Sequence, residues 1–302
     1  MDVRVIGVPM DLGADRRGVD MGPSAIRYAG LEREVERVGH DCQDAGDLAV
    51  PQPEAMDPVP ADRFEGEAKY LAETRDVCTR LAGEVEETLG TGAFPLVLGG
   101  DHSIAIGTVR GAARDADLGV VWFDAHGDFN TPTTTPSGNV HGMSLAATLG
   151  VGEFATEEWA VAPRVDPANV AMVGIRSLDD GERVALRDSE VTVFTMSDID
   201  DRGLPDVAEA AFDVATDGTD GVHVSLDMDF LDPDEAPGVG TPVRGGTTYR
   251  EAHAAMERVG DRIERIRSME VVEVNPILDQ HNRTAELAVE LVASALGKRI
   301  LS

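Results

Sequence analysis

Leu118-Gly119-Val120-Val121-Trp122-Phe123-Asp124-Ala125-His126-Gly127-Asp128 runs from an apolar segment straight into an acid, an imidazole and a second acid, each two residues apart. The apolar part reads as a buried strand. Where that strand ends, alternation no longer dictates side-chain direction, so a loop can turn Asp124, His126 and Asp128 toward one point. Three hard or borderline donors in so short a span point to a metal ion. Two further segments repeat the arrangement: Val97-Leu98-Gly99-Gly100-Asp101-His102-Ser103 and Val222-His223-Val224-Ser225-Leu226-Asp227-Met228-Asp229. In an open parallel α/β sheet the C-terminal ends of the strands share one edge, and ligands bind in the crevice outside it. His102, Asp124, His126, Asp128, Asp227 and Asp229 are therefore expected to meet.

The rest of the chain fits that architecture. Apolar, β-rich runs at 2–8, 42–48, 94–98, 118–123, 170–175, 191–195, 222–227 and 266–272 alternate with helical patterns at 24–38, 65–89, 103–114, 142–149, 179–187, 204–215, 249–259 and 284–296. Pro23 opens the first of these helices at a position where proline is tolerated. Pro-rich 51–60 reads as the least structured segment, and 129–141 and 233–246 read as irregular loops. Repeated alternation of strand and helix argues for a parallel sheet with helices on both faces, with an eight-fold barrel as the competing architecture. At 302 residues, one large domain spanning 1–302 is expected.

Composition narrows the function. A formal charge of -30 and a pI near 4.4 argue against nucleic acid and anionic membranes as partners, since both need Lys and Arg. Only Lys69 and Lys298 are lysine; every other basic residue is arginine. An acidic surface nearly free of lysine is expected of a protein kept soluble in concentrated salt, where the Debye length falls to about 3 Å and like charges repel little. Cys42 and Cys78 lack the spacing of a metal or redox pair. No apolar run approaches the roughly 20 residues needed to span a bilayer, so a cytoplasmic protein is expected.

Carboxylate and imidazole donors without thiolates suit Mn, Fe or Zn, and a carboxylate-heavy set favours manganese. Four aspartates and two histidines exceed the needs of one ion. They suit two ions sharing carboxylates, which would make a shared water nucleophilic near neutral pH.

Gly99-Gly100-Asp101-His102-Ser103, Asp124-Ala125-His126-Gly127-Asp128 and Ser225-Leu226-Asp227-Met228-Asp229-Phe230-Leu231-Asp232-Pro233 resemble the three signatures of the ureohydrolase family, the arginases, agmatinases and relatives that hydrolyse guanidino groups. The resemblance covers nearly the whole chain. It implies a three-layer α/β/α fold with an eight-stranded, mostly parallel sheet, which disfavours the barrel, and two Mn2+ per subunit. His102, Asp124, Asp128 and Asp227 would hold one ion and Asp124, His126, Asp227 and Asp229 the other, with Asp124 and Asp227 bridging.

Further motifs bear on the substrate. Asn130-Thr131-Pro132 and Ser137-Gly138-Asn139-Val140-His141-Gly142-Met143 resemble the arginase form of this loop, in which Asn130, Ser137 and Asn139 would receive an amino-acid carboxylate. Asp179 and Glu182 would face the α-amino group, and ammonium needs such acceptors. His141 resembles the family's proton-shuttling histidine. Glu273 matches the glutamate that grips the guanidinium, a bidentate pairing, and Thr241 a threonine near the same group. Ser177 stands where many arginases carry an acid, and Met143 is followed by Ser144 where proline is usual. His40, His223, His253 and His281 are assigned to structure. The resemblance thus implies hydrolysis of L-arginine to L-ornithine and urea, a linear-amidine hydrolase, with Asp229 and His141 assisting. The alternatives are agmatine, guanidinobutyrate or another guanidino compound as substrate, or a non-catalytic arginine- or metal-binding protein. A homo-oligomer, trimer or hexamer, is also implied.

Overall fold

In the computed structural model the residues described are 1–52, 68–299 and 301. Eight strands, β1 (Asp2–Val8), β2 (Asp41–Asp47), β3 (Phe94–Gly99), β4 (Leu118–Phe123), β5 (Val170–Ile175), β6 (Thr192–Thr195), β7 (Gly221–Asp227) and β8 (Ile266–Val272), form one sheet in the order β2-β1-β3-β8-β7-β4-β5-β6. Every adjacent pair is parallel. Among the described residues ten α-helices accompany them: α1 (Gly22–Tyr28), α2 (Leu31–Arg37), α3 (Leu71–Gly90), α4 (Ala105–Ala112), α5 (Ser144–Thr148), α6 (Asp180–Asp188), α7 (Met196–Arg202), α8 (Leu204–Thr216), α9 (Tyr249–Gly260) and α10 (Arg283–Ala295).

Strand alternation divides the core into two layers. Val121 and Phe123 of β4 face a cluster built with α1, α2, α8, α9 and α10, whereas Leu118, Val120 and Trp122 face a second cluster with α3, α4 and α5. Both faces are covered, as a parallel sheet requires. The open three-layer sheet excludes the barrel. Of its central four strands, β3-β8-β7-β4, three (β3, β7 and β4) carry the donor motifs at their C-terminal ends, and Glu273 follows β8. The chain reaches β4 directly after β3, yet β8 and β7 lie between them, and a crossover of this kind opens the crevice in which a ligand can sit.

Differences from the sequence expectation have local causes. The helix expected over 24–38 is two helices, because Gly30 adopts φ 94° and redirects the chain between α1 and α2. The segments expected to be helical from 103 and 142 each begin with a tight turn, His102–Ile104 and Val140–Met143, before α4 and α5. Helix α7 was not expected from apolar periodicity. A capping box marks its start: the Thr195 and Asp198 side chains each serve the other's backbone N–H. The expected helix over 65–89 is α3 from Leu71 onward, its first residues lying outside the described ones, as does most of the Pro-rich 51–60.

Candidate metal centre and active site

Each donor is aimed by its strand end and by a neighbour. After β3 a Cβ on Gly100 would overlap the Met10 carbonyl oxygen, so glycine is needed where the 9–22 loop crosses. Asp101 caps the following turn: its carboxylate accepts from the Ser103 N–H and hydroxyl and from the Ala14 N–H at 3.1 Å. The His102 ring stacks on Trp122, centroids 4.2 Å apart, and its Nε2 lies 2.8 Å from Ser225 Oγ. With Nε2 so engaged, Nδ1 faces the crevice. After β4, Asp124 Oδ2 accepts from Trp122 Nε1 (2.9 Å) and Oδ1 from the His126 N–H (2.7 Å). Asp128 sits at φ 47°, a backbone conformation that L residues adopt at a cost. Asp227 Oδ1 accepts from the Asp229 N–H, and Asp229 Oδ1 from the Ala125 N–H, which ties the β7 turn to the β4 loop.

All six expected donors converge. His102 Nδ1 is 3.1 Å from an oxygen of each of Asp124, Asp128 and Asp227, is buried, and forms no properly directed hydrogen bond. His126 Nδ1 lies 2.9 Å from Asp229 Oδ2 and 3.6 Å from Asp124 Oδ1. Two donor clusters result, His102-Asp124-Asp128 and Asp124-His126-Asp229, with Asp124 common to both. An imidazole nitrogen ringed by three carboxylate oxygens is poor hydrogen-bond geometry and good coordination geometry. Donors at roughly 2.1 Å from one cation sit about 3 Å from each other. The donors fit a pair of divalent cations.

Electrostatics agree. Burial pushes the carboxyls of Asp227 and Asp128 up, and neighbouring acids add to it, Asp229 and Asp124 for Asp227 and Asp124 for Asp128. Asp124 moves the other way: burial opposes ionisation, but the hydrogen bonds and charges of His102 and His126 outweigh it and hold its carboxyl far below the usual range. Burial would also discharge His126, yet Asp229 and Asp124 drive its imidazole up to about 12. So many acids in a dry space need positive charge, supplied by protons or by metal.

Beside the donors lies a cavity of about 110 Å³, with Asn130, Ser137, His141, Asp179, Glu182 and Thr241 in its wall. Asn130 Nδ2 donates to Asp179 Oδ2 (3.0 Å). Glu182 completes a capping box at the start of α6, accepting from the Phe129 and Asp179 N–H groups, and burial pushes its carboxyl up to about 7. Thr241 Oγ1 donates to Asp229 Oδ2 (3.0 Å). Glu273, at φ 65° and 1% exposed, sits behind His141 and outside the cavity wall: its Oε1 is 3.0 Å from both His141 Nδ1 and the His102 N–H. Burial opposes a charge on His141, but the hydrogen bond and charge of Glu273 raise it to about 9. Asn139 also lies outside the wall. Its amide donates to the Ala14 carbonyl and accepts from Lys69 Nζ.

Several residues escaped the sequence reading. Thr135 lines the cavity and belongs to the same Thr/Ser loop as Ser137. Ser144 Oγ reaches Asp128 Oδ2 at 3.1 Å. Arg176 holds main-chain carbonyls of Asp229, Phe230, Leu231 and Val243; its place in Arg176-Ser177-Leu178-Asp179 was the only signal. His40, His223 and His253 pair with Leu296 O, Ser268 Oγ and Ser294 Oγ, away from the centre.

Comparison with known proteins agrees with this geometry. Residues 1–297 match the model of the arginase family. The arginase of Bacillus subtilis (strain 168) is 50% identical over 301 residues, 99% of each chain. The native structure of the Bacillus caldovelox arginase superposes with a TM-score of 0.92 at 47% identity, covering 99% of both chains. That of the Entamoeba histolytica arginase, solved in complex with L-ornithine, gives 0.86 at 30% identity, covering 98% of this chain and 99% of that one. Full-length likeness at this level, with a family model matched over residues 1–297, places the chain in the arginase family.

Proposed function

We propose that this chain is an arginase that hydrolyses L-arginine to L-ornithine and urea, using two manganese ions. The observation that carries the reading is the buried His102 Nδ1 ringed by carboxylates, with a second cluster sharing Asp124, at the floor of a cavity walled by polar residues suited to an amino acid. His102, Asp124, Asp128 and Asp227 would hold one ion and Asp124, His126, Asp227 and Asp229 the other. Bound there, such a pair activates water at neutral pH, the chemistry that attack on a poor electrophile such as guanidinium requires.

The chain's own residues orient the substrate. Asn130 and Ser137 receive the α-carboxylate, and Asp179 and Glu182 face the α-amino group. Asn139 supports that loop through Ala14 and Lys69 and stands ready to add a donor at its rim. Glu273 orients His141 through Oε1. Thr241 steadies Asp229, which stabilises the tetrahedral carbon. His141, its Nδ1 on Glu273, hands a proton to the departing ornithine amine. The ornithine in the Entamoeba relative supports an amino-acid substrate. No helix among the described residues is long and apolar enough to cross a membrane, in keeping with a cytoplasmic enzyme, and we read 1–302 as one domain of a homo-oligomer, trimer or hexamer.

Urea release from arginine, agmatine and guanidinobutyrate in added manganese is the test. A strong preference for arginine is expected. Preference for agmatine would refute the carboxylate role of the Asn130–Ser137 wall, and a metal-loaded protein inert toward all three would refute the enzyme.

A further inference from the structure

Asp128, a donor of the first cluster, is gripped at both side chain and main chain by the start of α5. Ser144, fully buried at the start of α5, donates its hydroxyl to Asp128 Oδ2 at 3.1 Å. That oxygen is the one facing His102 Nδ1, also at 3.1 Å. The same turn grips the Asp128 main chain, whose carbonyl accepts from the Leu145 and Ala146 N–H groups at 3.0 and 3.1 Å. Side chain and backbone of Asp128 are thus fixed by three consecutive residues.

This grip matters because Asp128 has reasons to move. Its backbone is in the left-handed region, at φ 47°, and its carboxylate is crowded by Asp124 and Asp227 around one imidazole nitrogen. A hydroxyl donor stabilises the ionised carboxylate in the rotamer that points at the cluster. Main-chain bonds to the Asp128 carbonyl would survive loss of the hydroxyl; the side-chain orientation would not.

We infer that Ser144 is a positioning residue for the first cation, setting its affinity by fixing Asp128 Oδ2. Ser144 does not line the cavity, so the effect falls on metal and not on substrate. The inference rests on the two-cation reading above. Outer-shell partners of metal ligands typically carry about 10–100-fold in metal affinity.

The experiment compares wild type with Ser144→Ala, Ser144→Pro and Ser144→Thr as full-length, metal-stripped proteins. Manganese binding is read by chelator competition and calorimetry, with circular dichroism melting as the control for folding. Expected is about tenfold weaker binding of one of the two ions in Ser144→Ala and Ser144→Pro, the other keeping its affinity, retention of both in Ser144→Thr, and an unchanged KM for arginine. Ser144→Pro also removes the Ser144 N–H bond to the His141 carbonyl, so Ser144→Ala against Ser144→Thr isolates the hydroxyl. Equal affinity in Ser144→Ala and wild type would overturn the inference, as would a loss in Ser144→Thr equal to that in Ser144→Ala. Wild type that binds no manganese would instead overturn the two-cation reading beneath it.

Discussion

Replacement of Arg176 by Met removes the guanidinium but keeps most of the stem. Arg176 Nη2 donates to the carbonyls of Asp229 (2.6 Å), Val243 (2.9 Å) and Leu231 (3.1 Å), Nη1 to Phe230 and Gly174, and Nε again to Val243. Each of these acceptors is a main-chain carbonyl, and together they join the turn after β7 to the loop bearing Thr241. A hydrogen bond with one charged partner contributes about 1.5–3 kcal/mol. The two bonds shorter than 3 Å dominate, and burial of the guanidinium offsets part of the gain, so a net loss of about 3–5 kcal/mol is expected. For 302 residues, an unfolding entropy of about 2.1 cal/mol/K per residue turns that into a Tm decrease of roughly 5–8 °C. Arg176→Lys keeps the charge but not the planar fork and should recover about half of it. The assay is thermal melting of metal-loaded protein followed by circular dichroism, with the urea assay alongside. Because Asp229 and Thr241 lose their register, kcat should fall in both variants. A Tm change below about 2 °C in Arg176→Met, or lysine performing as well as arginine, would refute the claim that the carbonyl cage holds the turn.

Other consequences follow from the same geometry. Chelation should lower Tm by about 4 °C for each bound ion relative to protein in a hundredfold excess of manganese over its Kd, reversibly on re-addition; an indifferent Tm would exclude the donors as a metal site. In metal-free protein the raised His141 pKa contributes stability fully present below the ordinary histidine value of 6.5 and lost as pH rises through about 9. Glu273→Gln should bring the imidazole's titration, followed by NMR, back toward the ordinary value, and an unmoved titration would detach the pair. Tm should climb as KCl rises from low to molar concentration, since screening relieves a formal charge of -30; a flat response would end the reading of salt adaptation.

The donor motifs were legible in sequence because short-range covalent constraints govern them. An apolar run followed by Asp124-Ala125-His126-Gly127-Asp128 is a strand end with closely spaced donors whatever the remainder of the fold. Apolar runs likewise located β4 and β5 at their observed limits, since strands buried on both faces are continuously apolar. Short polar helices such as α7 carry too few apolar residues for periodicity and are visible only through their caps.

What tertiary structure decided was which of the available partners each side chain takes. Sequence could assign Glu273 to a guanidinium and Asn139 to a carboxylate, but packing puts Glu273 Oε1 on His141 and the His102 N–H, and turns Asn139 toward Ala14 and Lys69. Strand order is equally nonlocal: that β8 and β7 insert between β3 and β4, bringing donors more than a hundred residues apart within 3.1 Å, depends on how two apolar layers cover both sheet faces. Hydrogen-bond partners of Arg176 and Ser144 come from that same assembly. Local chemistry named the ligands of this centre, and burial, which makes every unpaired polar group costly, selected the contacts that hold them.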